Sequence, residues 1–346
     1  MLTYVNQMLS YVIDRVFSLR YRNVRNRGVL MNQYTPAAER TMYFIGVTTG
    51  KSSIMKVFPK WAEHLKLDAV IKGFDFEPHS PPELYREAVE FIKNDKLSLG
   101  ALVTTHKLDL LKSCGDMFEG LGEYAELLEE TSSISKRGSE LWGHAKDPIT
   151  SGLSLEAIVE PGYWKESGAD LHLLGAGGSS LALTLYLINK KKDGGDTPGR
   201  ILISNRSEPR LKEMQNIHEK IGSEINFEYH LCPTPGENDA VVATLNPGSL
   251  IANATGLGKD RPGSPLTNNV IFPEKAIVWD FNYRGDLLFM DQAAEQQKAR
   301  DIRIEDGWIY FIHGWTRVIA EVFHIDIPTS GPDFDKLSDL AASTRS

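Results

Sequence analysis

Cysteine is scarce in this chain: 346 residues hold two, Cys114 and Cys232. They lie far apart and lack metal-ligand spacing. That argues against a disulfide framework and reads as buried thiols in a reducing, cytoplasmic compartment. Long apolar runs are missing too. None approaches the roughly 20 residues that cross a bilayer, so no membrane partner is expected. Basic charge is not in excess, since 38 Lys and Arg face 46 Asp and Glu for a net charge of −8. A global field of that sign does not draw in nucleic acid. The sequence has no internal repeat or long low-complexity tract. His144, His172, His218, His230, His313 and His324 pair with no Asp, Glu or Cys at a ligand spacing, so no metal is implied.

The chain is 41% hydrophobic and long enough for two domains with their own cores. Residues 1–40 stand apart as an extension, in which Arg15, Arg20, Arg22, Arg25 and Arg27 follow a single acid, Asp14. The composition suits a transit peptide or a basic arm. It suits better a packed helical extension, or sequence ahead of a start at Met31 or Met42. From Tyr43 the pattern changes. Apolar runs at 43–47, 69–76 and 97–104 read as strands. Pro81-Pro82 opens a helix carrying Leu84, Ala88, Phe91 and Ile92 at helical spacing, and 106–114 fits another. Such alternation predicts an open α/β sheet. Lys136-Arg137-Gly138-Ser139 marks a hairpin between 133–135 and 141–145. A helix is expected after Gly152, ending at Pro161-Gly162, which puts a domain boundary near 150. Strand candidates at 169–174, 200–204, 225–231, 249–254 and 276–281, with helices at 179–191 and 209–221, predict a second, doubly wound sheet over 151–304. The helix Trp308–Phe323 is expected to return, with residues 305–346, to complete the first domain (41–150).

The stretch Leu171-His172-Leu173-Leu174 runs into Gly175-Ala176-Gly177-Gly178-Ser179 and then a helix. Glycines there permit a tight turn and let backbone N–H groups approach a pyrophosphate at a helix N-terminus. A second strand about 25 residues on makes this a dinucleotide-binding Rossmann unit. That strand ends in Asn205-Arg206-Ser207, followed by Arg210, with no acid to hold a ribose 2′-hydroxyl. A guanidinium suits a 2′-phosphate, so NADP is the expected cofactor.

Taken together these residues resemble shikimate dehydrogenases over about residues 43 to 325. The family's cofactor turn is matched by Gly175-Ala176-Gly177-Gly178, and its NADP phosphate stretch by Asn205-Arg206-Ser207-Glu208-Pro209-Arg210. Its Asn-Ala-Thr segment beside the nicotinamide is matched by Asn253-Ala254-Thr255, and its Asp-x-x-Tyr strand by Asp280 to Tyr283. The resemblance implies an N-terminal substrate domain and a C-terminal Rossmann domain. It makes Lys107 the catalytic lysine and Asp147 its carboxylate. The chain departs from the family elsewhere. Of a Ser-x-Ser pair that holds the substrate carboxylate it keeps Ser52, with Ile54 in the second place. Two hydroxyl-binding asparagines fall at Ser132 and Ala145, a threonine becomes Lys146, and a Gln-Gly pair becomes His313-Gly314. Thr104 is suggested as a hydroxyl ligand.

Oxidising a secondary alcohol requires a proton acceptor within about 3 Å of the hydroxyl. A lysine half-withdrawn from water between domains serves, its pKa expected to fall toward neutrality. Each lost partner for a buried substrate hydroxyl costs about 1–3 kcal/mol. Shikimate is therefore expected to be a poor substrate. The sequence predicts an NADP-dependent oxidoreductase for a related anionic cyclic hydroxy or keto acid or polyol, with His313 and Lys146 reading the altered groups; His313 suits a core or helix-face position equally well. The alternatives are a non-catalytic NADP sensor, and a pterin-type enzyme whose stacking pocket uses Trp142, Trp308 and Trp315. A homodimer is a candidate assembly that no residue specifies.

Overall fold

Two groups of strand-forming residues build two separate sheets in the computed structural model, which describes residues 34–259 and 261–345. The basic stretch from Arg15 to Arg27 lies outside the described residues. In the first sheet β1 (Thr41–Gly46) is central and entirely buried, paired in parallel with β2 (Val70–Asp75) and β3 (Ser98–Val103). A strand flanked on both sides and covered on both faces has to be apolar throughout. The hairpin β5 (Ser133–Arg137) and β6 (Glu140–His144) continues the sheet antiparallel to β3. The short β4 (Gly120–Leu121) closes the order β2-β1-β3-β5-β6-β4.

The second sheet has the order β12-β11-β10-β7-β8-β9, all parallel. Its strands are β7 (Leu171–Leu174), β8 (Arg200–Asn205), β9 (Asn226–Leu231), β10 (Leu250–Asn253), β11 (Ile277–Asp280) and β12 (Arg303–Glu305). Counted within the sheet, that is the 3-2-1-4-5-6 order of the doubly wound dinucleotide fold, whose crevice opens between the first and fourth strands. Here those are β7 and β10.

Each sheet is apolar on both faces. Tyr43, Ile45, Val103 and Ile134 pack under the Pro82–Asn94 helix, while Met42, Phe44, Ile54 and Trp61 pack against Ile312, Trp315 and Ile319. The latter three belong to the helix Trp308–Phe323, which does return to the first sheet. The helix Pro332–Ala342 seals this layer, with Trp61 Nε1 donating to Leu337 O at 2.8 Å. Tyr34 stacks on Phe91 at 5.1 Å, so the chain is already docked seven residues before β1.

The connection between the sheets differs from expectation. The helix placed after Gly152 begins instead at Asp147 and ends at Ile158, so residue 150 lies inside it. Pro148 in the first turn pre-sets the backbone there and lacks an N–H that would have no intrahelical acceptor anyway. Gly152 lies flat on the Tyr186 ring, where a Cβ would sit 2.3 Å from it, and this close approach packs the helix onto Gly178–Lys192. This helix and the short helix Tyr163–Ser167 lead from the first sheet to the second. Among the described residues no helix is long and apolar enough to cross a membrane.

Candidate active site

The strands β1 and β3 end side by side, and Thr104 N donates to Ile45 O at 2.9 Å. Thr105 follows with φ +47°, a left-handed turn that starts the helix Lys107–Cys114. Buried His106 braces that turn, its Nδ1 at 2.9 Å from the Tyr85 hydroxyl. Lys107 is the first helical residue, and its Nζ donates to Asp147 Oδ2 from the start of the Asp147–Ile158 helix. Both side chains keep about a fifth of their surface, 21% and 23%. Forty residues of sequence separation thus end in direct contact.

Lysine titration runs against the sequence-based expectation. Burial alone would lower the Lys107 pKa, but the carboxylates of Asp147 and Glu130 outweigh it and hold the ammonium above the ordinary lysine value. Tyr310 sits beside the pair. Its phenol is pushed well up by burial and by the Asp147 charge, with the Ser179 and Thr150 hydroxyls as polar partners. Ser179 stands in the first turn after the glycines, so Tyr310 lies near both that turn and the Lys107–Asp147 pair. Helix phase was the signal for it. Trp308, Ile312, Trp315 and Ile319 mark the core face, which leaves Tyr310, Gly314 and Glu321 on the other.

The substrate side is mixed. Ser52 is half-buried in the turn after β1, and neighbouring Ser53 Oγ accepts from the Tyr283 hydroxyl at 3.4 Å, a bond between the two sheets' loops. Ile54 is fully buried in the core, so it cannot replace the missing serine. Thr104 Oγ1 lies at the sheet edge, 3.4 Å from Ile45 O. Ser132 is buried, and its Oγ accepts the Lys146 N–H at 2.8 Å, an intrachain bond that closes the hairpin. His313 is 1% exposed and stacked 4.5 Å from Phe334, and neither ring nitrogen has a partner. Burial lowers its pKa to about 4, so it is a neutral core residue rather than a reader of substrate. Lys146 is held by Glu321 Oε2 at 2.7 Å, and the other Glu321 oxygen meets His144 Nε2 at 3.0 Å. The three tryptophans form no common stacking pocket. Trp315 meets Phe44 edge-on, Trp308 stacks on Phe311, and Trp142 lies under Arg137.

On the second sheet Gly175 takes φ +106° and lies against β10's exit, where a Cβ would stand 3.1 Å from Ala254 O. Ser180 Oγ donates to Gly175 O at 2.6 Å and pins the turn. Gly177 and Gly178 are exposed, and a Cβ at either would meet nothing within 4 Å. Open space above the first turn of a 15-residue helix fits a pyrophosphate. Asn205 bridges from β8, accepting the Ala176 N–H at 3.4 Å and donating to Ser207 O at 3.0 Å. Arg206 is exposed and makes no ion pair with a described residue, while Arg210 pairs with Glu213 at 2.9 Å. These residues fit an NADP adenosine end. Asn253, fully buried, donates to Asp280 Oδ2 at 3.0 Å and Leu257 O at 3.2 Å, and accepts the Thr255 N–H and hydroxyl. It shapes the Ala254–Thr255 loop from inside. Among the described residues no group of three or more His, Cys, Asp or Glu is arranged to hold a metal.

No model of a known protein family matches the chain. Among curated proteins, the NADP(+) shikimate dehydrogenase of Lactococcus lactis subsp. cremoris is 26% identical over 179 residues, 51% of this chain and 58% of that protein. A Streptococcus pneumoniae namesake is 28% identical over 118 residues, 34% of this chain and 39% of its own length. The chain thus spans 58% of the length of one of these curated relatives and 39% of the other. Solved structures align more fully. Shikimate dehydrogenase of Aquifex aeolicus gives a TM-score of 0.66 at 17% identity, covering 89% of this chain and 99% of that one. A Listeria monocytogenes shikimate 5-dehydrogenase with shikimate and NAD gives 0.66 at 18%, covering 90% and 99%. The ligand-free 5-ketofructose reductase of Gluconobacter gives 0.65 at 17%, covering 88% and 98%. The chain is similar to shikimate dehydrogenases, and it shares with the solved structures a fold in which an α/β domain precedes a Rossmann domain.

Proposed function

We propose that the protein is an NADP-dependent oxidoreductase that interconverts a secondary alcohol and a ketone on a cyclic hydroxy acid or polyol other than shikimate. The observation that carries this reading is the Lys107–Asp147 contact beside Tyr310 and Ser179, next to the glycine turn. A bound NADP supplies the hydride acceptor, and NADPH the donor. The chain's residues do the remaining work. Gly175 to Ser179 would hold the pyrophosphate on backbone N–H groups, and Arg206 would hold the 2′-phosphate. Lys107 Nζ–H donates its proton to the carbonyl oxygen in reduction and takes it back from the hydroxyl in oxidation. Asp147 aims the ammonium and keeps it charged. Tyr283, Ser53 and Ser52 form a hydroxyl-lined rim suited to a substrate carboxylate.

The departures from the shikimate pattern support a different substrate. Ile54 and Ala145 offer no hydrogen bond, and Ser132 is engaged within the hairpin. NADPH oxidation against a panel of cyclic ketones, with shikimate and NADP+ in the reverse direction, tests the reading. Turnover of at least one ketone is expected, falling roughly 10²–10⁴-fold in Lys107→Ala. Ordinary efficiency with shikimate removes the substrate proposal. NADPH binding without turnover across the panel transfers the case to the sensor reading, which the missing ligands favour.

A further inference from the structure

Glycine in a helix interior weakens the helix against alanine, because its unfolded chain has more freedom to lose. Among the described residues two α-helices carry one past their first turn. Gly152 has a packing reason, since a Cβ there would sit 2.3 Å from the Tyr186 ring. Gly314, in the middle of the 16-residue helix Trp308–Phe323, has none. Its φ is not positive, and a Cβ built on it would meet no atom of a described residue within 4 Å. The position is half-buried all the same, so the helix faces a hollow there.

The helix fixes where that hollow lies. Tyr310 stands one turn before Gly314, about 6 Å along the axis, and Glu321 two turns after it, about 10 Å on. All three share the face opposite Trp308, Ile312, Trp315 and Ile319. The helix packs against the Asp147–Ile158 helix and β5. Glu321 is held by Lys146 at 2.7 Å and by His144 at 3.0 Å, and Lys146 is followed by Asp147, the partner of Lys107. The segment His144–Asp147 thus borders the gap that Gly314 leaves. One end of the gap is the Tyr310 phenol and the other is the Glu321–Lys146 ion pair.

We infer that Gly314 is a specificity-determining residue, whose missing side chain leaves room for a hydroxylated arm on the substrate ring that reacts at Lys107. The inference rests on the oxidoreductase reading above and narrows its substrates to cyclic ketones and alcohols carrying such an arm. Polar groups at both ends of the hollow suit hydroxyls better than hydrocarbon. A side chain at position 314 would take the arm's place.

The test compares wild type, Gly314→Ala and Gly314→Leu in NADPH oxidation, on hydroxylated cyclohexanones with and without a hydroxymethyl group. Wild type should prefer the hydroxymethyl ketones. Gly314→Leu should lower their kcat/KM about 10- to 100-fold more than that of the bare rings, chiefly through KM, with Gly314→Ala between. Gly314→Ala should also raise Tm by about 1–3 °C, whereas a glycine required by the fold would give a lower Tm on replacement. Equal effects on both sets of ketones overturn the inference. Gly314→Cys gives a second readout that needs neither turnover nor a folded Leu variant. Cys114 and Cys232 are buried, so the new thiol should react first with iodoacetamide, located by mass spectrometry. A hydroxymethyl ketone bound with NADP+ should slow that reaction more than a bare ring does. An unreactive thiol denies the hollow, and labelling that no hydroxymethyl ketone slows denies its occupant. If wild type reduces no ketone, the reaction reading falls, and protection of the Gly314→Cys thiol still decides whether the hollow binds the arm.

Discussion

In the function proposed above, cofactor choice turns on single side chains. Arg206 is exposed at the end of β8 with no described ion-pair partner, whereas Arg210 already holds Glu213. A charge-assisted bond to a phosphate contributes about 1.5–3 kcal/mol, or roughly 10- to 100-fold in affinity. Arg206→Ala should weaken NADPH by that factor in a fluorescence titration and leave NADH nearly unchanged. Equal loss of both would place the 2′-phosphate elsewhere. Gly175 admits less latitude. At φ +106° with Ala254 O 3.1 Å from a would-be Cβ, Gly175→Val is expected to cost about 1–3 kcal/mol and abolish cofactor binding. Both residues were legible in the sequence because the turn and the strand end are local. Lys107 and Asp147 were legible through short motifs on either side of a hairpin. The burial of Ser132 and Asn253 was not legible in the sequence, and that of His313 was one of two open readings, for one shared reason. A residue's position along the chain does not say whether its side chain points into the cleft or into the protein.

At the scale of elements, the helix Trp308–Phe323 serves two clients. One face fills the core of the first sheet, and the other carries Tyr310, Gly314 and Glu321. Hydrogen bonding to His144, then to Lys146, holds the Glu321 carboxyl far below the usual glutamate range against the opposing effect of burial. A depressed folded-state pKa contributes stability above the unfolded value, near 4.3, that is lost as the pH falls through the folded one. Glu321→Gln should therefore unfold more easily at neutral pH, by about 1–3 kcal/mol in urea. The gap should close in acid, where wild type is protonated too. A gap independent of pH would mean that shape, not charge, anchors the helix. Helices and long strands declared themselves by periodicity. The strands β4 and β12, of two and three residues, are too short for any period, and only their neighbours' edges define them.

The whole molecule carries an acid liability that its composition hides. His172, His218 and His313 lie in different cores, one in β7, one under β9 and one beneath the last helix. Burial lowers them to about 3, 4 and 4 respectively. An unfolded histidine titrates near 6.5, so between roughly 6.5 and 4 the unfolded chain takes up protons that the folded one refuses, and stability falls with pH. Asp280 opposes this. Burial raises it to about 6, so the folded state binds its proton first. Among these four groups, three against one leave a net uptake of about two protons on unfolding across that window; His106, also lowered by burial, adds to the uptake, and Glu130, raised by burial, opposes it. His313 alone should remove roughly 2 kcal/mol at about pH 5. His313→Phe keeps the stack on Phe334 and removes the titration. Against wild type, it should gain that amount in urea between about pH 7.5 and 5, with turnover unchanged. A constant gap would deny that the ring is buried neutral, and lost turnover would return His313 to the substrate pocket. The sequence alone does not reveal the burial of these three imidazoles, because desolvation is a property of neighbours brought from across the chain.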